Sequence, residues 1–134
     1  MKFFAIIVSL LLPVCAMAQQ NLTEEEKEAK QMRAAIDAQI ESLTKSLDLE
    51  DWQVFYADSI ITNDYSAMND ELKSLRDSKV SNTDAYQNTM DKWYEQMYQS
   101  MHKVLNDDQW TKYQKSGAAR AKKARDKRAA KRNR

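Results

Sequence analysis

Beyond residue 18 the chain holds no cysteine, no proline and a single glycine, Gly117. Each absence excludes a class of structure. Without thiols there is no disulfide framework, no thiolate zinc site and no cysteine nucleophile, so a domain this small is held by packing or self-association. Without glycine and proline at regular intervals, little is left to turn the short strands of a sandwich or barrel. Long helices remain. Histidine is also nearly absent: His102 stands alone, and no Ser-His-Asp set, HExxH motif or glycine-rich phosphate loop accompanies it. The chain therefore reads as all-α and non-enzymatic, without a cofactor, and nothing in it implies ATP.

The one cysteine, Cys15, and the one proline, Pro13, fall in residues 1–18, which read as an export signal. Lys2 supplies the positive end, Phe3 to Leu12 is apolar except for Ser9, and Ala16-Met17-Ala18 is a small-x-small cleavage pattern. The apolar run is too short for a permanent span. Val14 sits before Cys15 where a lipoprotein signal carries a small residue. Cleavage after Ala18 would leave a chain beginning at Gln19, expected in the periplasm of a Gram-negative bacterium.

Charge is balanced in total and divided along the chain. Gln19 to Thr111 has nine Lys or Arg against nineteen Asp or Glu, a net of −10. Lys112 to Arg134 has eleven Lys or Arg against Asp126 alone, a net of +10. An acidic helical domain, 19–114, thus precedes a basic Ala/Lys/Arg-rich tail, 115–134, whose cations include Arg120, Lys122, Lys123, Arg125, Lys127, Arg128, Lys131, Arg132 and Arg134. Behind an export signal nucleic acid is not the expected partner of such a tail. Anionic membrane, an anionic envelope polymer, or the acidic body of its own or a partner subunit are the better candidates.

Helix starts repeat. Thr23 with Glu26 forms a capping box, followed by a stripe of Met32, Ile36, Ile40, Leu43 and Leu47. Asp48 is the expected cap of a second helix, with Leu47 stapled onto Trp52. That helix runs to Asp77 and carries Trp52, Phe55, Tyr56, Ile60, Ile61, Tyr65, Met68, Leu72 and Leu75, the later ones at coiled-coil-like spacing. Ser81 with Asp84 marks a third start, ahead of a row of Tyr86, Met90, Trp93, Met97, Met101 and Val104, with Tyr94, Tyr98 and Leu105 beside it. Asn106 with Gln109 marks a fourth, with Leu105 before it and Trp110 after it. Beyond Tyr113 nothing larger than alanine is available for burial, and fraying is expected. The expectation is three to four long antiparallel helices in a thin, elongated, hairpin-like arrangement. The modest core favours a dimer.

Two of these starts share a pattern. Leu49-Glu50-Asp51-Trp52-Gln53 and Leu105-Asn106-Asp107-Asp108-Gln109 each place glutamine four residues after leucine. Both resemble the LTxxQ motif of the Spy/CpxP family of periplasmic stress proteins, and helix number and motif order match over most of the chain beyond the signal. The threonine position is Glu50 in one copy and Asn106 in the other; Asn106 can still cap, whereas Asp48 competes with Glu50 for the register. The resemblance implies a thin, curved helical dimer that binds unfolded or partner proteins, as a chaperone, a stress-sensing adaptor or a metal binder.

Candidate surfaces follow from the residue surplus. Tyr56, Tyr94 and Tyr98 are the aromatic positions expected on an exposed, client-binding face. Met90, Met97, Met101 and His102 offer soft ligands for copper(I), although methionine at helical spacing reads first as core. Three function classes compete. One is a protein-binding chaperone or stress-response protein; another is a structural or adaptor protein tethered by its basic tail; the third is a periplasmic metal binder.

Overall fold

A computed structural model describes residues 22–133; the export signal read over residues 1–18, and Arg134 of the basic tail, lie outside the described residues. All regular structure among the described residues is helical: α1 (Glu24–Leu47), α2 (Asp51–Asp77), α3 (Thr83–Val104), α4 (Asp107–Tyr113) and α5 (Ala119–Arg132).

The capping box of α1 forms as its sequence dictates. The Glu26 N–H donates to Thr23 Oγ1 at 3.2 Å, and the Thr23 N–H donates to the Glu26 carboxylate at 2.7 Å. Ile36, Ile40 and Leu47 are buried, with Met32 and Leu43 packed partly against them. The end of α1 differs from expectation. Asp48 closes α1 in the left-handed conformation, φ 52°, instead of opening α2. Aspartate tolerates that conformation better than most residues, and the sharp exit lets Leu49 drop into the core. Glu50 is then the N-cap of α2, so the leucine-glutamine register prevails over Asp48.

The inward row of α2 is Gln53, Ala57, Ile61, Asp64 and Met68. Trp52 is 51% exposed and donates its indole N–H to the Glu50 carboxylate at 2.8 Å. The expected staple of Leu47 onto Trp52 is therefore not the joint; Leu47 belongs to the core without it. Helix α3 starts one residue later than Ser81 suggested, because Asn82 Oδ1 accepts the Asp84 N–H at 2.9 Å. Cross-links between α2 and α3 run in opposite chain directions: Trp93 reaches Glu71, Gln96 reaches Asp64, and Gln53 reaches Val104.

Helix α4 opens on the Asn106–Gln109 capping box, both halves formed. It passes through a kinked turn, Gln114–Ala118, where Gly117 takes φ 114°. That conformation favours glycine, and a Cβ there meets nothing within 4 Å, so only the backbone geometry resists substitution. Beyond the kink the chain does not fray: α5 is a fourteen-residue helix lying against α3. Ion pairs replace the missing large side chains in holding it. The core itself joins α1, α2, α3 and the two motif leucines, through Ile36, Leu47, Leu49, Ile61, Met101 and Leu105 among others.

Candidate functional site

The two motif glutamines meet at the centre of the fold. Gln53 is 2% and Gln109 6% exposed. The Gln53 Nε2 donates to Gln109 Oε1 at 2.7 Å, and the Gln109 Nε2 returns the bond to Gln53 Oε1 at 2.9 Å. Each oxygen also accepts the N–H of its own helix's N-cap residue, Glu50 or Asn106, at 3.0 Å. Each nitrogen also donates across to the other joint, Gln53 to the Val104 carbonyl at 3.0 Å and Gln109 to the Asp48 carbonyl at 3.3 Å. Both amides thus use two donors and two acceptors, their full capacity. Leu49 and Leu105 lie buried beside the pair. The arrangement fixes where α2 and α4 begin, and with them the side chains in their first two turns.

Three of those side chains point outward. Trp52, Phe55 and Tyr56 are 51%, 67% and 53% exposed, and their rings meet edge to face, Tyr56 lying 6.2 Å from Trp52 and 5.6 Å from Phe55. They share one face because residues three and four apart on a helix are neighbours. Gln53 and Ala57 occupy the opposite, buried face. Glu50 and Asp51 flank the rings, so the patch is aromatic with an acidic rim.

Of the expected client residues, Tyr56 belongs to this patch, and Tyr94 and Tyr98 do not. Tyr94 lies at the edge of exposure with its ring 6.1 Å from Tyr65. Burial first, then the neighbouring Tyr94, pushes the Tyr65 hydroxyl up to about 12. Tyr98 is half-buried: its ring packs on Trp110 at 4.8 Å, its hydroxyl accepts from Gln114, and the Arg125 guanidinium lies over it. Trp52 and Phe55 have a spacing that fits a core stripe, so sequence pattern alone assigns them inward. The available signal was the adjacent Phe55-Tyr56 pair beside small Ala57, since one helix face cannot take them all inward.

An acid–base seam joins α3 to α5. Arg128 donates twice to Asp91, at 2.8 and 2.7 Å, and Arg132 reaches the same carboxylate at 3.4 Å. Arg125 donates to Glu95 at 3.2 Å, and Lys122 lies 3.4 Å from it. The Arg128 bonds hold the Asp91 carboxyl below its ordinary range. Burial works to raise Glu95, yet bonds from Gln99 and Arg125 and the charge of Lys122 bring it net below the ordinary value. Of the basic residues read from the tail, Arg120, Lys123, Lys127 and Lys131 are exposed instead.

Met97 and Met101 are core residues, 5% and 1% exposed, while Met90 is only partly buried. His102 stacks on Trp110, with ring centroids 4.1 Å apart. Among the described residues no group of three or more His, Cys, Asp or Glu side chains is gathered as for a metal ion. No described helix is long and apolar enough to cross a membrane. A cleft of about 540 Å³ opens between α1 and α2, with Met32, Met68 and Leu72 in its wall and Glu25, Lys73 and Arg76 among its charged residues. Compared with protein-family models, curated proteins and solved structures, the chain matches none.

Proposed function

We propose that this is an exported, non-enzymatic envelope protein that binds other proteins through the Trp52, Phe55 and Tyr56 surface, acting without ATP as a chaperone or stress-response protein. The observation that carries the reading is three large aromatic side chains, each more than half exposed, grouped in the first two turns of α2. Exposed aromatic clusters with polar rims are a hallmark of surfaces that bind other proteins. The Gln53–Gln109 pair supports the resemblance to Spy/CpxP proteins, because both motif copies come together in one structural unit. A thin, elongated homodimer is part of the proposal, given the modest core. The acidic rim of Glu50 and Asp51 favours clients whose apolar segments are flanked by lysine or arginine.

The test is delay of aggregation of several unrelated unfolding proteins by near-stoichiometric protein, comparing wild type with the combined Trp52→Ser, Phe55→Ser, Tyr56→Ser variant. Wild type should delay aggregation and the variant should not, with stability changed by no more than about 0.5 kcal/mol per exposed position. Equal protection by both proteins refutes the assignment of the surface. Inactive wild type removes the chaperone role. Loss of a dimer in the variant, seen by sedimentation, assigns the patch to self-association.

A further inference from the structure

We propose that the solvent-facing side of α5 is a docking surface for an anionic phospholipid bilayer, carried by Arg120, Lys123, Lys127 and Lys131. The inference is separate from the aromatic surface. It rests on the exported reading only in favouring a bilayer over nucleic acid.

Helix α5 contains eight basic residues and one acidic one, and the fold sorts them by side. Lys122, Arg125, Arg128 and Arg132 are engaged with Glu95 and Asp91 on α3. Arg120, Lys123, Lys127 and Lys131 are exposed and, among the described residues, enter no ion pair. Their spacing of three, four and four residues keeps them within a strip about 80° wide on a helix about 21 Å long. The helix is already formed and docked, so a bound surface need not order it.

The acidic body is the obvious obstacle, and the seam with α3 removes much of it. Asp91 and Glu95 are already matched by the inner cations, and Asp84 shares a cleft with Arg128, Lys131 and Arg132. On α5 itself the one acid, Asp126, pairs with Lys122 at 2.6 Å. A surface laid against α5 therefore senses the outer row before it senses the body. The row is straight, with alanine as its apolar neighbour and no aromatic or amide side chain to read a base or sugar. A plane of lipid phosphates needs nothing more specific than a line of cations.

Cosedimentation of the chain from Gln19 onward with phosphatidylglycerol/phosphatidylcholine vesicles, or with phosphatidylcholine alone, tests the proposal. One variant combines Arg120→Gln, Lys123→Gln, Lys127→Gln and Lys131→Gln. A control combines Lys30→Gln, Lys45→Gln, Lys79→Gln and Lys103→Gln, removing the same charge elsewhere. Wild type should bind the anionic vesicles at about 20 mM salt and weaken at least about tenfold by about 300 mM. The outer-row variant should lose about tenfold at low salt while the control stays within about twofold. Helix content is checked by circular dichroism; should the fourfold variant lose helix, Lys123→Gln with Lys127→Gln replaces it, with an expected loss of about threefold.

Absence of binding at low salt overturns the proposal, as does equal binding to phosphatidylcholine alone. So does a control that loses as much as the outer-row variant, since net charge and not the row would then be responsible. Displacement of the vesicles by duplex DNA at equal phosphate concentration would assign the row to nucleic acid instead. None of these measurements reads client binding, so failure here and failure of the aromatic surface are distinguishable.

Discussion

Gln53 and Gln109, 56 residues apart in sequence, donate to each other's side-chain oxygens while each also ties down the start of its own helix. A buried amide is costly when partly satisfied and specifying when fully satisfied. Here the satisfaction is mutual. The two helix starts form one polar joint inside an apolar core, so movement of either breaks bonds at both.

Gln109→Ala should leave the Gln53 amide, the Asp48 carbonyl and the Asn106 N–H short of partners, and should cost about 3 kcal/mol. Gln53→Ala should cost a similar amount. Because both changes remove the same bonds, the double variant should fall short of their sum by about 1 kcal/mol or more. Urea unfolding of the four proteins measures this. Strict additivity would mean that the glutamines act as two separate caps.

The start of α4 gives a second check. Asn106→Ala removes the acceptor of the Gln109 N–H and should cost about 1 kcal/mol. Trp110 is partly buried between Tyr98, His102 and Tyr113. Trp110→Ala should therefore cost about 2 kcal/mol, below the value for a fully buried ring. Thermal unfolding of both variants like wild type would mean that this joint carries no load.

The helices were legible because the stripe from Met32 to Leu47 and the capping boxes at Thr23 and Asn106 use local chemistry. Two starts were misplaced, by the same kind of competition. Asp48 and Ser81 are good caps in isolation, but the left-handed exit at Asp48 and the burial of Leu49 select Glu50, and Asn82 captures the Asp84 N–H. The inner face of α2 was less readable, since glutamine, alanine and aspartate occupy buried positions that polarity assigns to water. Apolar content alone predicts fraying of α5, which has no apolar side chain larger than alanine to bury. Asp91 and Glu95, one turn apart on α3, supply its docking by charge. No local pattern announces partners thirty and thirty-seven residues away, as Glu95 is from Arg125 and Asp91 from Arg128.

Asp91 and Asp64 give the protein opposing responses to acid. Bonds from Arg128, foremost, hold the Asp91 carboxyl below its ordinary 3.8, against the effect of burial. A lowered pKa contributes stability that is full above the unfolded value and lost as pH falls through the folded one. Docking of α5 should therefore persist through mildly acid pH and weaken only as pH falls below the ordinary 3.8. Amide exchange over residues 119–132 reads that loss directly. For Asp64, burial pushes the carboxyl above its ordinary value, opposed by the Gln96 bond, and Oδ2 has no partner among the described residues. A raised pKa reverses the sign: the contribution is full below 3.8 and disappears as pH rises through the folded value. At neutral pH the fold then carries a poorly satisfied buried charge. Asp64→Asn keeps an oxygen for Gln96 and removes that charge, so it should raise the Tm at pH 7 by about 3 °C and flatten the gain that wild type shows on mild acidification. A lower Tm at pH 7 for this variant would mean that the ionised carboxylate stabilises the interface between α2 and α3.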